Sequence, residues 1–150
     1  MKKIIAIDVG NSETTVGVGN SEEWTGYRFT TRKTITSDEL LMMFKTIIDV
    51  EPIKENIIDG AVICSVVPQI TNSVTLATSK FISKDPIVVG PGLKTGLKVN
   101  IDNPKELGPD RIANSIGGHI KTKSAVIVVD LWTATTFDLV NEKKEYLGGA

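Results

Sequence analysis

Ile4-Ile5-Ala6-Ile7-Asp8-Val9-Gly10-Asn11 is a nearly unbroken apolar run that ends on a carboxylate, a glycine and an amide, and Thr14-Thr15-Val16-Gly17-Val18-Gly19 follows at once. Runs of this kind bounded by turn residues read as buried strands. The short polar Gly10-Asn11-Ser12 link makes the pair a hairpin. Asp8 then ends a buried strand beneath a turn rich in amides and hydroxyls, contributed by Gly10, Asn11, Ser12, Thr14 and Thr15. That chemistry suits a phosphate and its metal, because N–H and O–H groups donate to phosphate oxygens and a carboxylate holds Mg²⁺. The same residues also suit a plain hairpin with a polar tip.

The chain has 150 residues, enough for one ordinary domain that folds without staples. A net charge of -1 and 23% charged residues provide no basic field for nucleic acid and no polybasic patch for a membrane. Cys64 has no second cysteine to pair with and sits in an apolar run as a small core residue, which fits a reducing, cytoplasmic setting. The apolar stretch after Lys2-Lys3 reaches Asp8 too early for a membrane span, and no signal-type cleavage region follows it. A soluble protein is expected.

Trp24 to Thr30 extends the hairpin into a meander. Ser37-Asp38-Glu39 offers an N-cap and an acidic first turn, and Leu40, Leu41, Phe44, Ile47 and Ile48 recur at helical spacing until Pro52. Met42 and Met43 are packing residues on that reading. A strand over Ile57–Ser65 gives way to a helix with Pro68 in its first turn and an Ile70, Val74, Ala77, Phe81, Ile82 stripe. Ile87-Val88-Val89 is a short strand, and Gly90 to Gly96 is a loop. The chain stays irregular until Leu107-Gly108-Pro109-Asp110 leads into a helix whose buried face is Ile112, Ala113 and Ile116, continued at Ile120. Gly117-Gly118 either weakens that helix or lets it pack closely. His119, with no second ligand nearby, reads as a helix-end residue. The strand Val126-Ile127-Val128-Val129 then ends on Asp130, a hydroxyl-rich strand returns from Thr133 to Val140, and a third strand passes through Tyr146-Leu147.

Two copies of "apolar strand, Asp, short turn, hydroxyl-rich return" suggest two loops gripping a nucleotide's phosphates, a pattern that resembles the actin-like ATPases. Six ordered blocks narrow the resemblance: Asp8-Val9-Gly10-Asn11-Ser12, Ser65-Val66-Val67-Pro68, Val89 to Leu97, Asp102-Asn103-Pro104, Gly108 to Asn114 and Asp130 to Thr136. On these the chain resembles type III pantothenate kinases over essentially its whole length. The resemblance implies an α/β, ribonuclease-H-like domain, a mixed sheet with an antiparallel meander flanked by helices. It makes residues 1–150 an N-terminal actin-like domain whose C-terminal companion lies outside the chain. It further implies transfer of the γ-phosphoryl group of ATP to the primary hydroxyl of pantothenate, the first step of coenzyme A synthesis, with Mg²⁺ and a monovalent cation, K⁺ or NH₄⁺.

Carried over by position, Asp8, Val9, Gly10, Asn11, Ser12, Glu13, Thr14, Thr15 and Thr133 contact ATP, with Asp8 on Mg²⁺. Gly108, Pro109, Asp110 and Arg111 contact pantothenate, Asp110 as general base, and Asp130 binds the monovalent cation. A guanidinium matches a carboxylate with two parallel hydrogen bonds, and a carboxylate beside the substrate hydroxyl can accept its proton. Taken alone, Asp110-Arg111 is also an ordinary solvated helix start.

The chain departs from the family pattern in three places. Trp132 stands in the second phosphate turn where glycine is usual, Ile101 where tyrosine is usual, and Ser12-Glu13 where Thr-Asn is usual. An indole at 132 is expected to crowd the phosphates or swing aside, and Glu13 adds repulsion near a polyphosphate. The 150-residue chain is expected not to turn over by itself and to expose apolar surface that favours self-association, while the full parent is expected to be a homodimer. The alternatives are a non-catalytic relative acting as a ligand sensor or transcriptional accessory factor, and a different actin-like phosphotransferase acting on another small acid.

Overall fold

The computed structural model describes residues 2–50, 58–132 and 134–150, arranged in two compact units, one up to Val88 and the other from Val89 onward. The expected stop at Pro52, the start of the next strand at Ile57, and Thr133 lie outside the described residues.

In the first unit, β1 (Lys3–Val9), β2 (Glu13–Gly19) and β3 (Trp24–Thr30) form the antiparallel meander, followed by α1 (Ser37–Val50), β4 (Ile58–Ser65), α2 (Pro68–Ile82) and β5 (Ile87–Val88). The sheet order is β3-β2-β1-β4-β5, with β4 parallel to β1 and to β5. Strand alternation sorts the faces. Ile5, Ile7, Val9, Val16, Val18 and Ile63 are buried together with Leu40, Phe44 and Ile48 of α1 and Ile70, Val74 and Ala77 of α2. Both helices therefore lie on this one face, where Phe44 and Phe81 meet edge to face at 6.1 Å. On the opposite face the Trp24 indole lies across β2, in space kept open by Gly17 and Gly19: a Cβ on Gly17 would come within 3.3 Å of the ring.

The cap of α1 falls one residue earlier than the sequence suggests. Thr36 accepts from the Glu39 amide through Oγ1 (3.2 Å), while the Glu39 carboxylate accepts from the Thr36 amide (2.9 Å), a reciprocal capping box. The Thr36 amide, first among the causes, holds the Glu39 carboxyl below its usual range. α2 begins at Pro68 and ends at Ser83, which takes the left-handed conformation with φ 55°.

In the second unit, β6 (Lys98–Val99) and a 3-10 turn (Pro104–Glu106) precede α3 (Pro109–Thr122), β7 (Val126–Leu131), β8 (Thr135–Val140) and β9 (Glu145–Gly149). The order is β6-β9-β8-β7, antiparallel except for β6 beside β9. β6 was not legible in the sequence, since two residues carry no periodicity. Of the apolar stripe expected on α3, Ile112 is buried, but Ile120 is 61% exposed and Ser115 is buried in its register. Gly118 settles the Gly-Gly question: a Cβ there would stand 2.7 Å from Val128, so α3 approaches β7 closely, whereas Gly117 faces open space. His119 sits near the helix end, its Nε2 3.3 Å from the Glu142 carbonyl oxygen.

Candidate functional site

In the first unit the Gly10–Glu13 turn is tied down from inside. The Gly10 amide donates to the Glu13 carbonyl (3.0 Å), Thr31 Oγ1 donates to the Gly10 carbonyl (2.7 Å), and the Thr31 amide donates to the Ser12 carbonyl (2.9 Å). Because the peptide unit is planar and trans, an inward Gly10 carbonyl directs the Asn11 N–H the other way. Asp8 pairs in register with Thr15 on the face opposite the helices, and it is exposed. Thr14 turns the other way: it is buried, with its Oγ1 2.8 Å from Thr31 Oγ1. Its hydroxyl serves the fold, so any contact to a nucleotide from this residue would be through its backbone. Glu13 lies 3.9 Å from the Arg28 guanidinium, which draws its charge toward β3.

In the second unit the sequence-derived residues open α3. Gly108 is its N-cap and Pro109 occupies the first helical position, where a missing N–H costs nothing. The Asp110 carboxylate folds back over Gly108, where a Cβ would collide with its Oδ1. A side chain at 108 would push the Asp110 carboxylate to another rotamer. Arg111 reaches across to β8, where its Nε donates to Asp138 Oδ1 (2.7 Å) and its Nη2 to the Phe137 carbonyl (3.1 Å). The Tyr146 hydroxyl donates to the same Asp138 oxygen at 2.7 Å. Burial, and then the Asp138 carboxylate, push the Tyr146 phenol up to about 12, so it remains a donor through the neutral range.

Arg111, Tyr146, Gly148 and Gly149 line a cavity of about 400 Å³ together with Ile101 and Leu107, and Asp102 and Glu106 also border it. Its lining mixes apolar residues with the carboxylates of Asp102 and Glu106, Asn103 and the Arg111 guanidinium, and its size suits a small organic molecule that carries polar groups. Ile101, singled out by its departure from the usual tyrosine, is thus one of the walls. Elsewhere in this unit Asp130 is the last residue but one of β7, which runs one residue past the expected end, and its Oδ2 accepts from Asn114 Nδ2 of α3 at 2.9 Å. Trp132 is 53% exposed.

Among the described residues no three His, Cys, Asp or Glu side chains gather as a metal site. A Mg²⁺ ion bound with nucleotide phosphates needs only one or two protein carboxylates, so Asp8 alone fits that demand. Four residues of the site were missed by sequence reasoning: Asn114, Asp138, Tyr146 and Gly149. Asn114 follows Asp110 by four and Arg111 by three, which places it on their side of α3. Asp138 carried a signal too, as a lone carboxylate inside an apolar strand.

A sequence profile of the family described as type III pantothenate kinase matches residues 4–150. The chain belongs to the type III pantothenate kinase family. Type III pantothenate kinases from Citrifermentans bemidjiense and from Halalkalibacterium halodurans are each 42% identical to it, over 98% and 97% of this chain respectively. The chain spans 58% of the length of each of these relatives. Among solved structures, an uncharacterized protein from Pseudomonas aeruginosa with similarity to the peptidase YeaZ aligns over 100% of this chain and 66% of its own, with a TM-score of 0.53 at 9% identity. The likeness is one of fold: the mixed sheet with its antiparallel meander is the actin-like architecture that the type III pantothenate kinase resemblance implied.

Proposed function

We propose that this chain supplies the ATP loop and the pantothenate pocket of a pantothenate kinase. The observation that carries the reading is the cavity at the start of α3, in which Arg111 stands against the apolar wall of Ile101, Leu107 and Tyr146. Pantothenate has an apolar body and one carboxylate, and the guanidinium is the group to receive that carboxylate. Asp110, one residue before Arg111, takes the proton of the primary hydroxyl as its oxygen bonds to the γ-phosphorus and the bond to the ADP oxygen breaks. Asp8, Val9, Gly10, Asn11, Ser12, Glu13, Thr14 and Thr15 hold ATP, with Thr133 as a further contact. Asp8 would hold Mg²⁺, which when bound neutralises phosphate charge, and Asp130, oriented by Asn114, would hold K⁺ or NH₄⁺. Positioning and charge neutralisation account for most of the rate in phosphoryl transfer, which leaves the protein little covalent chemistry to do.

Family membership favours this reading over a non-catalytic accessory role. The working protein would be a cytoplasmic homodimer. No helix among the described residues is long and apolar enough to cross a membrane. The test is phosphorylation of labelled pantothenate by the full-length protein. Asp110→Asn should lower kcat by about 10²-fold or more with melting unchanged, the scale on which a positioned base contributes. Full turnover by that variant would remove Asp110 from the role. A parallel titration of this chain with Mg²⁺ and a non-hydrolysable ATP analogue, beside Trp132→Gly, asks whether the indole obstructs the nucleotide. Binding by the glycine variant alone would identify it as the obstruction.

A further inference from the structure

We infer that Asp138, assisted by Tyr146, is the positioning residue that aims Arg111 into the pocket, and that recognition of the substrate carboxylate depends on it. The inference rests on the pantothenate reading given above. An arginine in the first turn of a helix has a long, flexible side chain that loses considerable rotamer freedom when fixed. Here it is fixed. Nε and one hydrogen of Nη2 are committed to Asp138 Oδ1 and the Phe137 carbonyl, respectively. A guanidinium has five N–H groups, so three remain: both hydrogens of Nη1 and the second of Nη2. These form the end-on edge, which can meet a carboxylate with two parallel hydrogen bonds while the other edge stays on the protein.

Two features separate this from an incidental ion pair. Asp138 is fully buried, and its Oδ2 has no hydrogen bond among the described residues, so both Arg111 and Tyr146 converge on a single oxygen. A buried carboxylate with one unsatisfied oxygen is a poor device for stability, because desolvation offsets much of the attraction. Fixing the direction of another side chain is what the geometry does achieve. In addition, Gly149 forms the gap through which the guanidinium passes: a Cβ there would collide with the Phe137 carbonyl, Arg111 Nη2 and Asp138 Oδ1. The Arg111–Asp138 pair is neutral overall. Discrimination for a carboxylate therefore comes from directed hydrogen bonds and not from net charge.

The experiment compares D-pantothenate with pantothenol, in which a hydroxymethyl group replaces the carboxylate, by calorimetric titration of the full-length protein and its Asp138→Asn and Tyr146→Phe variants. The ¹⁵N signal of the Arg111 Nε–H is followed in the same samples. The parent should prefer pantothenate by about tenfold or more, a charge-assisted bidentate contact being the difference. Asp138→Asn should abolish that preference and the slow exchange of Nε–H while leaving pantothenol affinity unchanged. Tyr146→Phe should reduce the preference by about threefold, as expected for loss of one supporting hydrogen bond, and carries the test if the Asn variant does not fold. Equal weakening of both ligands overturns the positioning role, as does unchanged preference with Nε–H still protected; either leaves the substrate reading intact. Tighter pantothenate binding in Asp138→Asn overturns it too, since Asp138 would then merely mask the arginine's charge. A parent that binds both ligands equally, or neither, overturns the substrate reading and with it the inference.

Discussion

In the first unit the bulky face of the sheet, Ile5, Ile7, Val9, Val16 and Val18, lies under α1 and α2, and the opposite face carries Ile4, Ala6, Asp8, Gly17 and Gly19 with the Trp24 indole across it. In the second unit α3 packs on one face, against Val126 and Val128, and the other face presents Ile127, Val129, Leu131, Phe137, Leu139 and Leu147, each at least 41% exposed. Ile127 lies opposite Leu139 and Val129 opposite Phe137, so these side chains form a continuous apolar surface. Each unit contains a strand whose last residue but one is an aspartate, yet the first puts mainly small and polar residues on its open face, with Ile4 and Trp24 at one end, and the second puts large apolar ones there. A strand that is apolar on both sides is built to be covered on both sides. An exposed apolar face of that kind marks a surface that associates.

The largest expected effect is in the covered face. Phe44→Ala should cost about 3–5 kcal/mol in denaturant unfolding, because it leaves a cavity beneath two helices. Ile127→Ala, at 64% exposure, should change stability by no more than about 0.5 kcal/mol at concentrations too dilute for self-association. Were the two costs alike, the second sheet would have two covered faces in solution. Light scattering across a concentration series sharpens the contrast further: the chain should self-associate, and Ile127→Asp with Val129→Asp should suppress it. A parent that stays monomeric throughout would show that this face does not associate.

The Gly117-Gly118 pair of α3 allows a finer test. Gly118→Ala should destabilise by about 1–3 kcal/mol through overpacking against Val128, whereas Gly117→Ala should stabilise by up to about 1 kcal/mol through helix propensity alone. At α1, Thr36→Ala should cost about 1 kcal/mol by removing the cap, and Ser37→Ala should cost little. Equal effects at 36 and 37 would return the cap to the residue the sequence suggested.

The last test is a pH dependence in the second unit, confined to alkaline solution. The Tyr146 phenol is raised from 10.0 to about 12 in the folded chain by burial and by Asp138. Between those values the unfolded chain has lost the proton that the folded chain retains, so the contribution is fully present below pH 10 and is lost as pH rises toward 12. Parent and Tyr146→Phe unfolding curves should therefore diverge in slope only above pH 10. Identical slopes to pH 12 would mean that neither burial nor Asp138 raises the Tyr146 phenol.

The meander, both aspartate-terminated strands, the three helices and the family were legible in the sequence, because each rests on local periodicity, turn chemistry or ordered short motifs that neighbouring residues spell out. The glycine pair was legible only as a choice, since propensity says what glycine costs and not what it touches. The tertiary structure alone decided that Thr14 faces the core, that Gly118 and not Gly117 meets β7, and that Arg111, Asp138, Tyr146 and Gly149 share one site. Asp138 stands 27 residues from Arg111. No local preference joins them; they meet because α3 crosses the strand that follows β7, and the register of β8 with β9 places Tyr146 and Gly149 beside that strand.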